Sequence, residues 1–113
     1  MTRLRRLLID DTREETSSNI QMRLDVIARN YWEGINQLKL NWPWDLLLID
    51  HDISSFELLG GLSGKEWTGY DIMFWLEDPA NEQYRPKKIV CVSSNPPGAK
   101  RIQMVIDKLY GGN

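Results

Sequence analysis

The sequence contains very little cysteine or histidine and no long apolar segment, and Cys91 and His51 are each the single residue of their type. A lone cysteine cannot form an internal disulfide, so we expect a cytoplasmic protein in a reducing compartment. The longest purely aliphatic run is Leu46 to Ile49, whereas a membrane helix needs about 20 apolar residues. The sequence therefore predicts no contact with a membrane.

An excess of charge of one sign is also absent. The chain has 14 Lys and Arg against 16 Asp and Glu, which gives a net charge of −2. Binding of duplex DNA through a broad basic surface requires many phosphate contacts, so this balance excludes it. Local basic patches for a small phosphorylated ligand remain compatible with the composition. The 113 residues fit one domain, residues 1–113, with a single core.

Four short segments predict β-strands: three are apolar runs typical of buried strands, and the second alternates apolar and polar residues as in a half-buried strand. These segments are Leu4–Ile9, Met22–Ala28, Asp45–Ile49 and Lys88–Val92. Between the third strand and the next helix, Ser54 to Gly64 reads as a long loop because it holds three of the eight glycines. Its Gly60–Gly64 stretch is either a mobile lid over the neighbouring strand ends or a plain flexible loop.

Three segments carry the start and stop signals of helices. Asn30 with Glu33 and Thr68 with Asp71 have the spacing of a capping box. Asn95 precedes a proline, which is favoured at the first helical position. The three helices are expected to end near Leu40, before Pro79 and at Gly111–Gly112. Strands that alternate with helices predict an α/β fold with a parallel sheet covered on both sides.

Three strands of this sheet end in polar clusters. The clusters are Asp10-Asp11-Thr12-Arg13, Asp50-His51-Asp52 and Ser93-Ser94-Asn95. Parallel strands point the same way, so all three clusters should lie at one edge of the sheet, where open α/β sheets bind ligands. Close carboxylates repel one another unless a cation neutralises them, and Mg²⁺ prefers oxygen ligands. We therefore expect Asp10, Asp11, Asp50 and Asp52 to bind Mg²⁺ or another divalent metal. The alternative is that these aspartates only cap turns and helices.

The remaining residues of the clusters suit phosphate and proton transfer. Arg13 offers a planar fork for phosphate oxygens, although it could be an ordinary surface arginine. Ser93, Ser94 and Asn95 lead into a helix N-terminus, which favours an anion. His51 is the only imidazole available as a general acid or base. Cys91 is expected to be plain core, since no catalytic base accompanies it.

Aromatic residues are concentrated around the third strand. The four tryptophans there are Trp42, Trp44, Trp67 and Trp75, and most of them should belong to the core. Trp67 together with Tyr70 could instead form the wall of a pocket that stacks a base or a sugar.

The pattern resembles the receiver domain of two-component response regulators, which has a three-layer, flavodoxin-like fold. In that family an acid pair after the first strand and an aspartate after the third bind Mg²⁺, and the last accepts a phosphoryl group. Asp10, Asp11 and Asp50 match those places, and Ser93 matches the hydroxyl residue after the fourth strand. Receivers also carry a lysine after a fifth strand, for which this sequence shows no segment. A phosphoacceptor receiver is therefore the less favoured interpretation.

A closer resemblance is to the cyclic-phosphate processing receiver domain. Four ordered motifs carry it: Asp10-Asp11-Thr12-Arg13, Asp50-His51-Asp52, Thr68-Gly69-Tyr70-Asp71 and Ser93-Ser94-Asn95-Pro96-Pro97-Gly98. The resemblance implies an open parallel sheet of about four strands in the order 2-1-3-4 with helices on both faces. One departure is Val92, which occupies the position where the family pattern has a histidine. Small stand-alone members in bacteria and their phages would suit this length.

The resemblance implies a metal-dependent phosphoesterase-like domain that acts on a cyclic or terminal phosphate of a nucleotide or an RNA end. His51, Asp50 and Arg13 would be catalytic, and Arg13, Ser93, Ser94 and Asn95 would bind the phosphate. The alternative is a non-catalytic pseudo-receiver that binds a nucleotide or a protein partner, which the valine at position 92 favours.

Overall fold

The structure is a computed structural model that describes residues 4–53, 55–59 and 63–111. Its strands are β1 (Arg6–Ile9), β2 (Val26–Ala28), β3 (Leu46–Ile49), β4 (Ser55–Leu59), β5 (Ser63–Trp67) and β6 (Lys88–Cys91). Its helices are α1 (Tyr31–Leu40), α2 (Gly69–Glu77) and α3 (Pro96–Tyr110), with a 3₁₀ helix at Pro79–Tyr84. None of the described helices has the length and apolar character needed to cross a membrane.

The central sheet is parallel and has the order β2-β1-β3-β6. Leu8 of β1 lies opposite Leu48 of β3, which in turn lies opposite Val90 of β6. Because β6 is the fourth strand predicted from the apolar runs, this order confirms the predicted 2-1-3-4 arrangement. The carboxyl ends of β1 and β3 are therefore neighbours, as the placement of the acidic clusters requires.

All four strands of the central sheet are shorter than the runs predicted from the sequence. At the amino edge of the sheet, aspartate side chains accept two backbone amides at the start of the β1 segment. The Arg6 amide donates to Asp25 Oδ2 at 2.8 Å, and the Arg5 amide donates to Asp45 Oδ2 at 2.7 Å. Backbone bonds accompany both contacts, since the Asp25 amide donates to the Arg6 carbonyl at 2.9 Å and the Asp45 amide donates to the Arg5 carbonyl at 2.9 Å. At the carboxyl edge of the sheet, the position of the polar clusters agrees with the prediction from the sequence.

The helices begin where the caps predicted. The Asn30 side chain accepts the Glu33 amide at 2.9 Å, and Asn95 accepts the Gly98 amide at 3.2 Å. At the start of α2 the Thr68 amide donates to Asp71 Oδ2 at 2.7 Å. Each contact satisfies an amide that has no partner within the helix.

The apolar core forms two clusters on opposite faces of the sheet. The first cluster contains all of the core side chains that α1, α2 and α3 contribute, with Leu38, Met73 and Ile102 fully buried. The second cluster contains Ile20 and neighbouring residues of the segment between β1 and β2, packed on Leu8. The α/β class is confirmed, but in the described chain an irregular segment covers the second face where helices were expected. That segment is polar from Thr12 to Asn19 and forms turns instead of a helix.

The stretch predicted as a long loop forms a second, two-stranded sheet. β4 and β5 pair in antiparallel register, with Ser55 opposite Trp67 and Leu59 opposite Ser63. The loop prediction was therefore wrong for these strands, because cross-strand backbone pairing depends on a partner segment that glycine content does not reveal. The proposed lid falls mainly on residues 60–62, outside the described residues, while Ser63 and Gly64 belong to β5.

Candidate functional site

Three carboxylates meet at the carboxyl ends of β1 and β3. Asp10, Asp11 and Asp50 each offer one oxygen atom, and these oxygens all lie within 4.8 Å of one another. Asp10 is fully buried and Asp50 is 6% exposed, and among the described residues they are the only charged side chains in the buried class. Burial of a charge is costly unless the charge is paired, so this cluster needs a positive partner.

Asp10 is held by the turn that follows its strand. Its Oδ1 accepts the amides of Thr12 at 2.9 Å and Arg13 at 3.0 Å. Its own amide donates to the carbonyl of Ala28 at 3.0 Å, which continues the β1–β2 ladder. The carboxylate is therefore fixed in direction by backbone groups before any ligand is considered.

Arg13 supplies the positive partner. Its Nη1 lies 2.7 Å from Asp10 Oδ2 and 3.3 Å from Asp50 Oδ2. Its Nη2 donates to Ser94 Oγ at 3.2 Å. Burial lowers the pKa of the guanidinium, but the contacts with Asp10 and Asp50 outweigh this and raise it overall. Arg13 therefore joins the first and third polar clusters and neutralises part of the second.

Asp50 lies between these groups. Burial raises the pKa of its carboxyl, and the charge of Asp10 raises it further, while contacts with Ser93, Arg13 and the His51 amide act in the opposite direction. The His51 amide donates to Asp50 Oδ1 at 2.8 Å. A raised pKa means that the charged form of Asp50 is under-compensated, so a further cation at the site would be favoured.

His51 and Asp52 form a separate group beside the carboxylates. His51 Nδ1 lies 2.9 Å from Asp52 Oδ1, and Asn95 Nδ2 lies 3.3 Å from Asp52 Oδ2. The hydrogen bond with His51 is the main cause that lowers the pKa of the Asp52 carboxyl. The imidazole packs against the first turn of α3, where a Cβ on Gly98 would come within 2.4 Å of the ring. Asp52 thus lies with His51 and Asn95, whereas the metal-type cluster consists of the other three predicted aspartates.

The third polar cluster closes the site from the side of α3. Ser93 Oγ accepts the Asn95 amide at 3.0 Å, and the Ser93 side chain also bonds to Asp50. Ser94 receives the Arg13 contact described above, and its side chain is exposed. The N-terminus of α3 therefore lies next to Arg13. Its first two residues, Pro96 and Pro97, have no amide N–H, and the Gly98 amide is already donated to Asn95. The groups that this side offers to an anion are therefore the Arg13 guanidinium, the serine hydroxyls and the helix dipole.

Four supporting residues were not singled out from the sequence. Arg29 Nη1 donates to the Arg13 carbonyl at 2.7 Å, and Asn19 Oδ1 accepts from Arg13 Nε at 3.1 Å. The Gly69 amide donates to the His51 carbonyl at 2.8 Å, and a Cβ there would lie 1.9 Å from the Asp50 carbonyl oxygen. At Gly98, likewise, a Cβ would collide with the imidazole of His51. The two glycines lie inside motifs that the sequence shows, so their role could have been predicted. Arg29 and Asn19 lie in no motif, and the sequence gives no indication of their role.

One comparison with known proteins decides the family. The model of the cyclic-phosphate processing receiver domain matches residues 5–108, a span that includes every residue of the candidate site. The chain belongs to this family. No curated protein and no solved structure gives a significant match.

Val92, at the position where the resemblance implied a histidine, is buried in the sheet. Val92 is 8% exposed and packs with Leu8, Ile20 and Leu48 in the second core cluster. Its amide donates to the Ile49 carbonyl at 2.9 Å, which extends the β3–β6 pairing by one residue. The valine therefore contributes apolar packing at the place where the family pattern has an imidazole.

Two further predictions concern residues beside the site. The Trp67 ring lies 4.7 Å from the Tyr31 ring, while Tyr70 packs at the edge of the first core cluster. The Trp67 ring thus packs on a residue of α1, and a pocket wall formed by Trp67 with Tyr70 stays a prediction. Cys91 is half-buried against the same core cluster, and burial raises the pKa of its thiol.

Proposed function

We propose that this receiver domain processes a cyclic or terminal phosphate of a nucleotide or an RNA end. The observation that carries the proposal is the convergence of three carboxylates, a guanidinium and two serine hydroxyls at one edge of the sheet. Acidic groups suit a cation, and the basic and hydroxyl groups suit phosphate oxygens. A phosphate ester that is bound through a divalent metal requires both sets together.

The donor set fits Mg²⁺. Asp10, Asp11 and Asp50 provide carboxylate oxygens only, which is the chemistry that this hard cation prefers. When bound, Mg²⁺ would polarise a phosphoryl oxygen and lower the pKa of a coordinated water. The raised pKa of the Asp50 carboxyl agrees with a site that lacks positive charge.

The protein's own groups would orient the phosphate and move the proton. Arg13 would hold the phosphate oxygens, with the Ser94 hydroxyl beside it at the start of α3. The carboxylate of Asp52 would accept a hydrogen bond from His51 Nδ1. The proton would therefore reside on Nδ1, and Nε2 would be the basic atom. His51 would then accept a proton from the attacking water or donate one to the leaving oxygen.

Hydrolysis of 2′,3′-cyclic nucleotides tests this proposal. We expect the wild-type protein to hydrolyse them with Mg²⁺ and to lose the activity in EDTA. Asp10→Asn and Asp50→Asn should remove nearly all turnover, and His51→Gln should reduce it by about a hundredfold or more. Asp25→Asn is the matched control, because Asp25 lies at the amino end of β2, at the opposite edge of the sheet.

Full activity in Asp10→Asn and Asp50→Asn, or no wild-type turnover on a broad panel of phosphate esters, would contradict the enzymatic proposal. The second result would favour a pseudo-receiver that binds a nucleotide or a protein without turnover. The specific observation for that alternative is Val92, which places an apolar side chain in the core where the family pattern has a histidine. Calorimetry would then show ligand binding that does not depend on Mg²⁺.

A further inference from the structure

All three nitrogens of the Arg13 guanidinium are engaged within the candidate site. Nη1 contacts the carboxylates of Asp10 at 2.7 Å and Asp50 at 3.3 Å. Nη2 donates to Ser94 Oγ at 3.2 Å, and Nε donates to Asn19 Oδ1 at 3.1 Å. The Arg13 side chain is only 17% exposed. The guanidinium is therefore held at the centre of the acidic cluster and is not a free surface arginine.

The hydrogen bonds of Asp10 involve both oxygens of its carboxylate, and a cation at the site would bind to one of these oxygens. Oδ1 already accepts two backbone amides, from Thr12 and Arg13. Oδ2 accepts from Arg13 Nη1, which also reaches Asp50 Oδ2. A divalent cation that binds both aspartates would therefore use oxygens that the guanidinium occupies.

We propose, on the basis of the proposed function, that Arg13 is an internal counter-ion that a divalent cation must displace from Asp10 and Asp50. A guanidinium and a divalent cation that share two buried carboxylates repel each other strongly at such short range. Mg²⁺ therefore binds more weakly than the three carboxylates alone would allow. The cost of displacing Arg13 is part of every metal-binding event.

The displaced guanidinium has a second use. Arg13 already contacts Ser94 beside the N-terminus of α3, so release from the carboxylates leaves it next to the phosphate position. Arg13 cannot pair with the two aspartates and a phosphate at once. The binding of Mg²⁺ therefore releases Arg13 from the aspartates, so that it can bind the phosphate. By thermodynamic linkage, inorganic phosphate binding and Mg²⁺ binding then strengthen each other by the same factor.

Calorimetric titration with Mg²⁺ tests this competition directly. The proteins are wild type, Arg13→Gln, Arg13→Lys and Arg23→Gln. Arg23 pairs with Asp25 at the amino edge of the sheet, so its substitution removes the same charge without touching the acidic cluster. We expect Arg13→Gln to bind Mg²⁺ about tenfold or more tightly than wild type, and the other two variants to stay within about threefold.

Thermal unfolding provides a readout that does not depend on activity. In EDTA, Arg13→Gln should be less stable than wild type because Asp10 and Asp50 lose their partner. Saturating Mg²⁺ should then raise the melting temperature of Arg13→Gln more than that of wild type, since stabilisation by a ligand grows with the logarithm of its concentration divided by Kd. Asp10→Asn combined with Arg13→Gln should abolish the Mg²⁺ effect.

The outcomes separate this inference from the proposed function. If wild type binds Mg²⁺ and Arg13→Gln binds it no more tightly, the counter-ion inference is overturned while the metal site stands. If neither protein binds Mg²⁺, both the inference and the metal dependence are overturned. If Arg13→Gln binds more tightly but wild type shows no Mg²⁺-dependent turnover, the inference stands and the proposed enzymatic function fails.

Discussion

Asp10 and Asp50 are two buried carboxylates that share one guanidinium, and this imbalance should be visible in the pH dependence of stability. Burial and the charge of Asp10 raise the pKa of Asp50 above its ordinary value of 3.8. The folded state therefore binds more protons than the unfolded state just above that pH. The contribution of Asp50 to the free energy of unfolding is complete below pH 3.8 and is lost as pH rises through the raised pKa.

Asp50→Asn should flatten this part of the profile. We expect the free energy of unfolding of wild type in EDTA to fall as pH rises through the Asp50 titration, and that of Asp50→Asn to fall less. Urea unfolding at intervals from about pH 3 to about pH 8 measures the difference.

Asp52→Asn is the matched control with the opposite sign. The hydrogen bond with His51 lowers the pKa of Asp52, so its contribution is present above pH 3.8 and is lost as pH falls through the lowered pKa. Removal of Asp52 should therefore reduce stability at neutral pH. Parallel profiles for wild type and Asp50→Asn would contradict the raised pKa described for the Asp50 carboxyl.

At the scale of elements, the N-terminus of α3 connects helix stability to the site. Asn95 accepts the Gly98 amide, which caps the helix, and donates to Asp52, which holds His51. Asn30 caps α1 in the same way but has no contact with the clusters among its described bonds. The two asparagines thus separate the capping contribution from the contribution to the site.

Asn95→Ala and Asn30→Ala should each destabilise the protein by about 1 kcal/mol through loss of a cap. Only Asn95→Ala should also weaken the binding of inorganic phosphate, measured by calorimetry in Mg²⁺. Equal phosphate affinity in the two variants, at matched losses of stability, would show that the start of α3 takes no part in anion binding.

Much of the fold at this scale could be predicted from the sequence because its signals are local. The apolar runs end at Asp10 and Asp50, and the caps at Asn30 and Asn95 mark the helix starts that the structure shows. The hairpin of β4 and β5 was missed because pairing between strands is not a local property. The position of the Arg13 guanidinium was also beyond prediction, since it depends on contacts with Asp50 and Ser94, far away in sequence.

At the scale of the whole molecule, two apolar clusters on opposite faces of one sheet support the site. The first cluster joins Leu7, Leu47 and Ile89 of the sheet to Leu38 and Ile102 of the helices. Asp10 and Asp50 follow β1 and β3 directly, so their positions depend on the packing of these strands. Loss of the core should therefore remove the site and the secondary structure together.

The described domain should unfold as one cooperative unit. Of the five tryptophans, Trp44 is 1% exposed and its Nε1 donates to the Gln37 carbonyl at 3.0 Å, so loss of the core should change its contribution to the fluorescence. We expect urea transitions followed by tryptophan fluorescence and by far-ultraviolet circular dichroism to coincide. Separate midpoints would indicate that part of the sheet or one helix unfolds independently, and would contradict cooperative unfolding of the two clusters with the sheet between them.

The central claim is that the three strand-end carboxylates form a cation site beside a phosphate position. Anomalous diffraction from crystals grown with Mn²⁺ and inorganic phosphate tests it most directly, because it locates the metal without reference to activity. We expect an anomalous peak about 2.0–2.2 Å from oxygens of Asp10, Asp11 and Asp50, with phosphate near Arg13 and the start of α3. No peak at saturating Mn²⁺, with Arg13 still paired to both aspartates, would contradict the account.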